Sequence, residues 1–207
     1  MARGNRLAIR ATRQTRTMGR RRAAFSCGEL SSRPAGATPH ERKVTVMVTG
    51  IIVPGETHKA LRKAEFAELV DYQTAVGGSI ETIQVQSHPM VIIANEDGKL
   101  RELPINLRAT LLWRVLNPQG IRGDLLVGDV VIVGPISFGE LTEVNPRLIS
   151  LLIETRRFAI KVKLNEQSDP WLPFGDPMDD FFMAAARAVR LIEDSNPPAS
   201  VKVVAVA

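Results

Sequence analysis

Along the chain, apolar runs with the period of a strand or of a helix are broken at intervals by glycine, proline and asparagine. The first organised run, "VTVMVTGIIVP", is β-branched and ends at Pro54-Gly55, which predicts a buried strand leaving through a turn. From Ala64 the period changes: Phe66, Leu69, Val70, Gln73 and Val76 fall on one helical face, with Glu65, Glu68 and Asp71 outside it. Gly77 and Gly78 then supply a helix stop and a sharp corner. "SIETIQVQ" and "MVIIANE" predict two strands around a "SHP" turn, and Asp97-Gly98 is a hairpin signal. In "LPINLRATLLWRVL", Asn106 is placed to cap a helix whose stripe is Ala109, Leu112, Trp113 and Leu116. Val130 to Val133 is an unbroken apolar strand of the kind found inside a sheet. The order over residues 44–134 is therefore β-α-β-β-(β)-α-β.

A second set of elements follows. "NPRLISLLIETRRF" has an Asn145 cap, Pro146 at the first helical position and an apolar face of Leu148, Leu151 and Leu152. "RRFAIKVKL" alternates, with Phe158, Ile160, Val162 and Leu164 on one side, and predicts a half-exposed strand. In "GDPMDDFFMAAARAVRLIED", Asp176 and Pro177 mark a helix start, Asp179 and Asp180 suit its dipole, and Phe182, Ala185, Ala186, Val189 and Ile192 form its stripe. "SVKVVAVA" is a closing strand. The whole predicts a compact α+β fold, a mainly antiparallel sheet with about four helices on one side. Residues 44–135 form the principal domain, and 136–207 an extension packed on the same body.

Charge changes this picture only at the start of the chain. Residues 1–46 carry eleven Lys/Arg against two Glu, whereas residues 47–207 carry sixteen against twenty Asp/Glu. With little apolar periodicity, residues 1–43 cannot offset their ordering entropy and are expected to be a disordered basic leader. Three readings of it compete: an arm that binds nucleic acid through Arg13, Arg16, Arg20, Arg21 and Arg22, a targeting segment, or sequence upstream of a true start at Met47. "RRRAAFSCGEL" lacks the apolar stretch of a signal peptide, and the misplaced start is favoured. The one cysteine, Cys27, excludes an internal disulfide framework and suits a reducing cytoplasm. No apolar run approaches the ~18 residues of a membrane span.

The segments "DYQTAVGGSIE", "NEDGKLRELPINLRAT" and "LLVGDVVIVGP" resemble a family of domains of unknown function found in bacteria and their phages and plasmids, especially actinobacterial ones. The resemblance covers about residues 47–135, and "FFMAAARAVRLIED" and "VKVV" are similar to the downstream half of many members. It implies no established activity for any residue, and it implies that members begin near Met47. Residues 1–46 depart from the pattern.

Candidate chemistry is sparse. Asn95, Glu96, Asn106 and Arg108 would form a shallow site for an anionic or amide-rich ligand if the hairpin and the following helix fold back on each other. The competing and favoured reading is structural: Asn95 shapes the turn, Asn106 caps the helix and Glu96 pairs with Arg108 at the surface. His40, His58 and His88 lack partners at metal spacing, so no metal is expected. No nucleophile elbow, phosphate loop or dinucleotide fingerprint is present, so neither a catalytic residue nor a cofactor is assigned. "SDPWLPFGDPMDDFF" gathers Trp171, Phe174, Phe181 and Phe182 among aspartates; packing onto the sheet is favoured over an exposed partner patch. The expectation is a non-enzymatic accessory protein of phage- or plasmid-type DNA that binds a macromolecule. Its alternatives are nucleic-acid binding by the leader, or an enzyme or small-ligand binder centred on Glu96 and Arg108.

Overall fold

The computed structural model describes residues 47–85, 87–117, 124–163, 170–195 and 200–206. The leader with its five named arginines, Cys27 and His40, and the positions Leu164 and Asp169, lie outside the described residues. Five strands, β1 (Val48–Val53), β2 (Arg62–Phe66), β3 (Ile80–Val85), β4 (Met90–Asn95) and β5 (Val130–Val133), form one sheet in the order β2-β1-β5-β4-β3. Every pairing in it is antiparallel. Helices α1 (Leu69–Val76) and α2 (Leu107–Leu116) interrupt the strand sequence. After β5 come a small hairpin of β6 (Ile136–Ser137) and β7 (Glu140–Leu141), then the short helix α3 (Pro146–Ile149), which runs into a π-helical turn at Ser150–Glu154. The chain closes with β8 (Phe158–Lys163), β9 (Leu172–Met178), α4 (Phe181–Asp194) and β10 (Ser200–Ala205), the three strands making an antiparallel sheet in the order β10-β8-β9.

The central strands β1, β4 and β5 are apolar at successive positions because both faces of the sheet are covered. On one face Ile51, Ile92 and Ile132 pack against Leu112 of α2, Ala185 of α4 and Ile160 of β8. On the other Val91, Ile93, Val131 and Val133 pack against Tyr72 and Val76 of α1 and against Phe66, whose ring stacks on Tyr72 at 4.5 Å. Each such aliphatic side chain contributes about 1.5–3 kcal/mol by leaving water. Residues of the 136–207 stretch, among them Phe158, Phe181 and Val201, belong to the same buried cluster as Ile51 and Leu112.

The α+β class, the mainly antiparallel sheet and four α-helices among the described residues are as expected from the sequence, but α1 lies on the face opposite α2 and α4. Three local expectations are corrected. Residues 62–66 form an edge strand paired in register from Val48↔Phe66 to Ile52↔Arg62, so the helix begins later. Its entry is fixed by Asp71, whose carboxylate accepts from the Ala67 and Glu68 N–H groups at 2.7 and 2.9 Å. Leu69 and Val70 consequently face solvent, and Tyr72 and Val76 are the buried residues. Asp97-Gly98 makes no hairpin: Asn95 accepts from Asp97 N and Gly98 N, Arg101 N donates to Asp97 O, and the chain coils on to α2. Asp176 lies in β9, paired with β8, and the cap of α4 is Asp180, which accepts from Met183 N at 2.7 Å. The buried stripe accordingly includes Phe181, Ala184 and Ala188, with Phe182 and Ala186 half-buried.

The β6–β7 hairpin turns on Phe138 and Gly139, both at positive φ (51° and 87°). Paired positive φ values suit Asn-Gly, and an aromatic L-residue in that region costs about 1–2 kcal/mol. Phe138 recovers nothing by packing, being fully exposed at 106%. Phe138→Asn is therefore expected to raise unfolding stability by about 1 kcal/mol, read from the urea midpoint at unchanged slope.

Candidate binding site

The residues that carry the family resemblance meet at two backbone corners. At the first, Gly77 ends α1 in the left-handed region (φ 75°), and Gly78 N donates to Gln73 O at 2.9 Å. A side chain on Gly78 would collide with Asn95, since its Cβ would lie 2.7 Å from Asn95 Nδ2. Asn95 is buried and donates from Nδ2 to Val76 O at 3.1 Å, while Arg101 donates to Gly77 O at 2.7 Å. The glycine pair thus lets two distant polar residues hold the helix end against β4.

The second corner is the exit of β1. Asn106 is completely buried, accepts from Ala109 N as the cap of α2, and donates from Nδ2 to Val53 O and Gly128 O at 2.9 and 2.8 Å. Arg108 donates to Lys59 O, Pro54 O and Glu56 O, each at 2.8 Å. Its burial pulls the guanidinium below the usual arginine range, opposed by the charges of Asp180 and Asp129. Asp129 accepts from Gly55 N at 2.9 Å.

Of the four candidate ligand residues, Asn106 and Arg108 share the β1 exit, whereas Asn95 ends β4 and Glu96 follows it in the turn, its N–H donating to Ser79 O at the α1–β3 corner. Glu96 is exposed and forms no ion pair with Arg108 among the described residues; the guanidinium is turned to the 54–59 loop instead. His58 lies 3.4 Å from Glu56, and His88 contacts the Leu116 carbonyl through Nδ1 at 2.9 Å. The aromatic stretch is divided. Phe181 is buried edge-on to Phe158, Phe174 lies against Arg187, and Trp171 is at the surface under the Lys202 ammonium.

Glu96 opens instead into a concavity of about 320 Å³ beside β3, lined also by Glu81, Ile83, Lys99, Trp113 and Asp124. It lies between β3, an edge strand of the large sheet, and Trp113 of α2. Asp124 is held ionised by a hydrogen bond from Lys99, with a second from Leu125 N, and its pKa is lowered. Three carboxyl groups therefore face one ammonium. Burial pushes the Glu81 carboxyl up from its ordinary value; Lys99 opposes the rise, and Asp124 and Glu96 add to it. Trp113 is only 6% exposed, and its indole N–H has no acceptor among the described residues. An aromatic wall, apolar Ile83 and excess negative charge suit a cationic group. Neither Glu81 nor Asp124 stood out in the sequence: one reads as the polar phase of a strand, and the other borders a stretch with no period.

A raised carboxyl pKa means that the folded chain holds this proton to higher pH than the unfolded chain does. The contribution is fully present in acid and is lost as pH rises through the folded value. Glu81→Gln is accordingly expected to raise the melting temperature at pH ~7 and to leave it unchanged at pH ~3, below both pKa values.

The fold and these corners define the class, an antiparallel α+β domain whose signature polar residues brace backbone turns. The domain of unknown function designated DUF3846 matches residues 48–157, and the chain belongs to that family. No curated protein and no solved structure matches it. No helix among the described residues is long and apolar enough to cross a membrane.

Proposed function

We propose that this protein is a non-enzymatic accessory factor of phage- or plasmid-type DNA that binds another macromolecule, docking an extended basic segment of a partner protein along β3. The observation that carries this reading is the contrast between the two edges of the large sheet. The β2 edge bears Arg62, Lys63 and Glu65, charges of the kind that discourage strand addition. The β3 edge, "IETIQV", has no lysine, proline or bulge, and pairs in unbroken register with β4 alone among the described residues. An added strand would satisfy its outward N–H and C=O groups, and alternate side chains of that strand would enter the carboxylate groove. At the other end of β3, Gln84 and Val85 share a concavity with Pro135 and Ile136 at the base of the Phe138 hairpin.

The probe is a labelled peptide of alternating lysine and valine, titrated by fluorescence anisotropy. Binding is expected to weaken at least about tenfold in Glu81→Lys and Glu96→Lys, and to survive removal of residues 1–46. Equal binding of an alternating glutamate–valine peptide would refute the reading. The eleven basic residues of the leader support a second reading, nucleic-acid binding. It requires affinity for single- or double-stranded DNA that falls steeply with salt and vanishes in the same truncation.

A further inference from the structure

A second cavity, of about 310 Å³, opens on the other side of α2, between that helix, the α3–π-turn segment and β10. Its floor is apolar and buried, formed by Met90, Val115, Val144, Phe181 and Val201. Leu148 and Leu151 make one wall. That wall is the segment where α3 widens into a π-helical turn, closed by Thr155 N donating to Ser150 O at 2.9 Å. Such turns recur at functional sites because they set side chains out of α-helical phase.

The charged and ionisable groups of the lining are all basic: His88, Arg147 and Lys202. The Lys202 ammonium is turned to the Trp171 ring, 4.0 Å from its centre, and Trp171 is not part of the lining. Arg147 is exposed and enters no ion pair among the described residues. His88 is fixed by its Nδ1 contact with the Leu116 carbonyl. An apolar interior with the exposed Arg147 in its lining and no carboxylate is complementary to a small amphipathic anion.

From this arrangement we infer that the cavity binds a free aliphatic monocarboxylate, its chain against Val144, Leu151 and Phe181 and its carboxylate at the Arg147 guanidinium. At the low end of the ~300–1,000 Å³ typical of ligand pockets, the volume suits a short or medium chain. The cavity shares no lining residue with the carboxylate groove of β3, so failure of this assignment and failure of the peptide reading are distinguishable.

Octanoate, octanol and octylamine, titrated by calorimetry into the full chain, test it. Octanoate is expected to bind at least about tenfold more tightly than either of the others, and Arg147→Glu to remove that preference. Leu151→Trp, which fills the cavity, is expected to abolish heat from all three. Arg147 is on the surface, so its variant remains informative if the tryptophan variant fails to fold. Octylamine binding as well as octanoate, an unchanged octanoate affinity in Arg147→Glu, or no binding of octanoate at millimolar concentration would each overturn the assignment.

Discussion

Asn106→Ala is expected to lower unfolding stability by about 3–5 kcal/mol, a large part of what a domain of this size has to lose. The side chain is wholly buried and does three things at once: it caps α2 at Ala109 N and donates to Val53 O and Gly128 O. Losing the cap costs about 1 kcal/mol, and each buried carbonyl left without its donor costs about 1–3 kcal/mol. The neighbouring backbone adds to the effect, because Asn106 N donates to Leu126 O and Thr110 Oγ1 bridges Asn106 O to Leu126 N. Asn106→Asp separates the parts: it keeps the cap acceptor but turns a carboxylate oxygen toward two carbonyls, and is expected to be at least as damaging as alanine. Urea denaturation of both variants measures this. A loss below about 1 kcal/mol for alanine would mean that the buried network contributes little.

Gly134→Ala is expected to cost about 2–4 kcal/mol, although it adds only one methyl group. The new Cβ would lie 2.2 Å from Glu143 O and 2.5 Å from Thr142 Oγ1. Neither neighbour can retreat cheaply. Gly134 N donates to Thr142 O at 2.8 Å, Thr142 Oγ1 donates to Pro135 O, and Val144 N donates to Thr49 O at 2.9 Å, which ties this return strand to β1. Gly139→Ala is the contrasting control: its Cβ would meet nothing within 4 Å, and only its positive φ is strained. Differential scanning calorimetry is expected to show the larger fall in melting temperature for Gly134→Ala. The reverse order would show that the close approach at Gly134 relaxes.

These two positions show what local pattern can and cannot reveal. The cap at Asn106 was legible because "PIN" precedes a helical stripe, and the stop at Gly77 because a helix that ends on glycine takes the left-handed conformation there. The partners were not legible. Asn106 meets Val53 across 53 positions and Arg108 meets Pro54 across 54, separations that no short-range rule spans. Phase errors arose where tertiary pairing overrode local signals. "RKAEF" runs into the start of a helical period, but its pairing with β1 makes it a strand, and Asp176-Pro177 looks like a helix start although it lies within β9, in the irregular stretch between the Phe174 and Met178 pairings with β8. The β3 groove was hidden for a different reason. Its carboxylates come from β3, the end of β4 and the segment before β5, and each alone has the pattern of an ordinary solvated residue.

The central claim is that β3 is an open edge which accepts an extended basic segment. Amide chemical-shift mapping on the ¹⁵N-labelled chain, during titration with the lysine–valine peptide, tests it most directly. The account predicts shifts concentrated in residues 79–85 and in the Trp113 indole N–H, with slowed exchange at alternate β3 amides. Shifts centred on the β2 edge, or spread without preference over the charged surface, would contradict it.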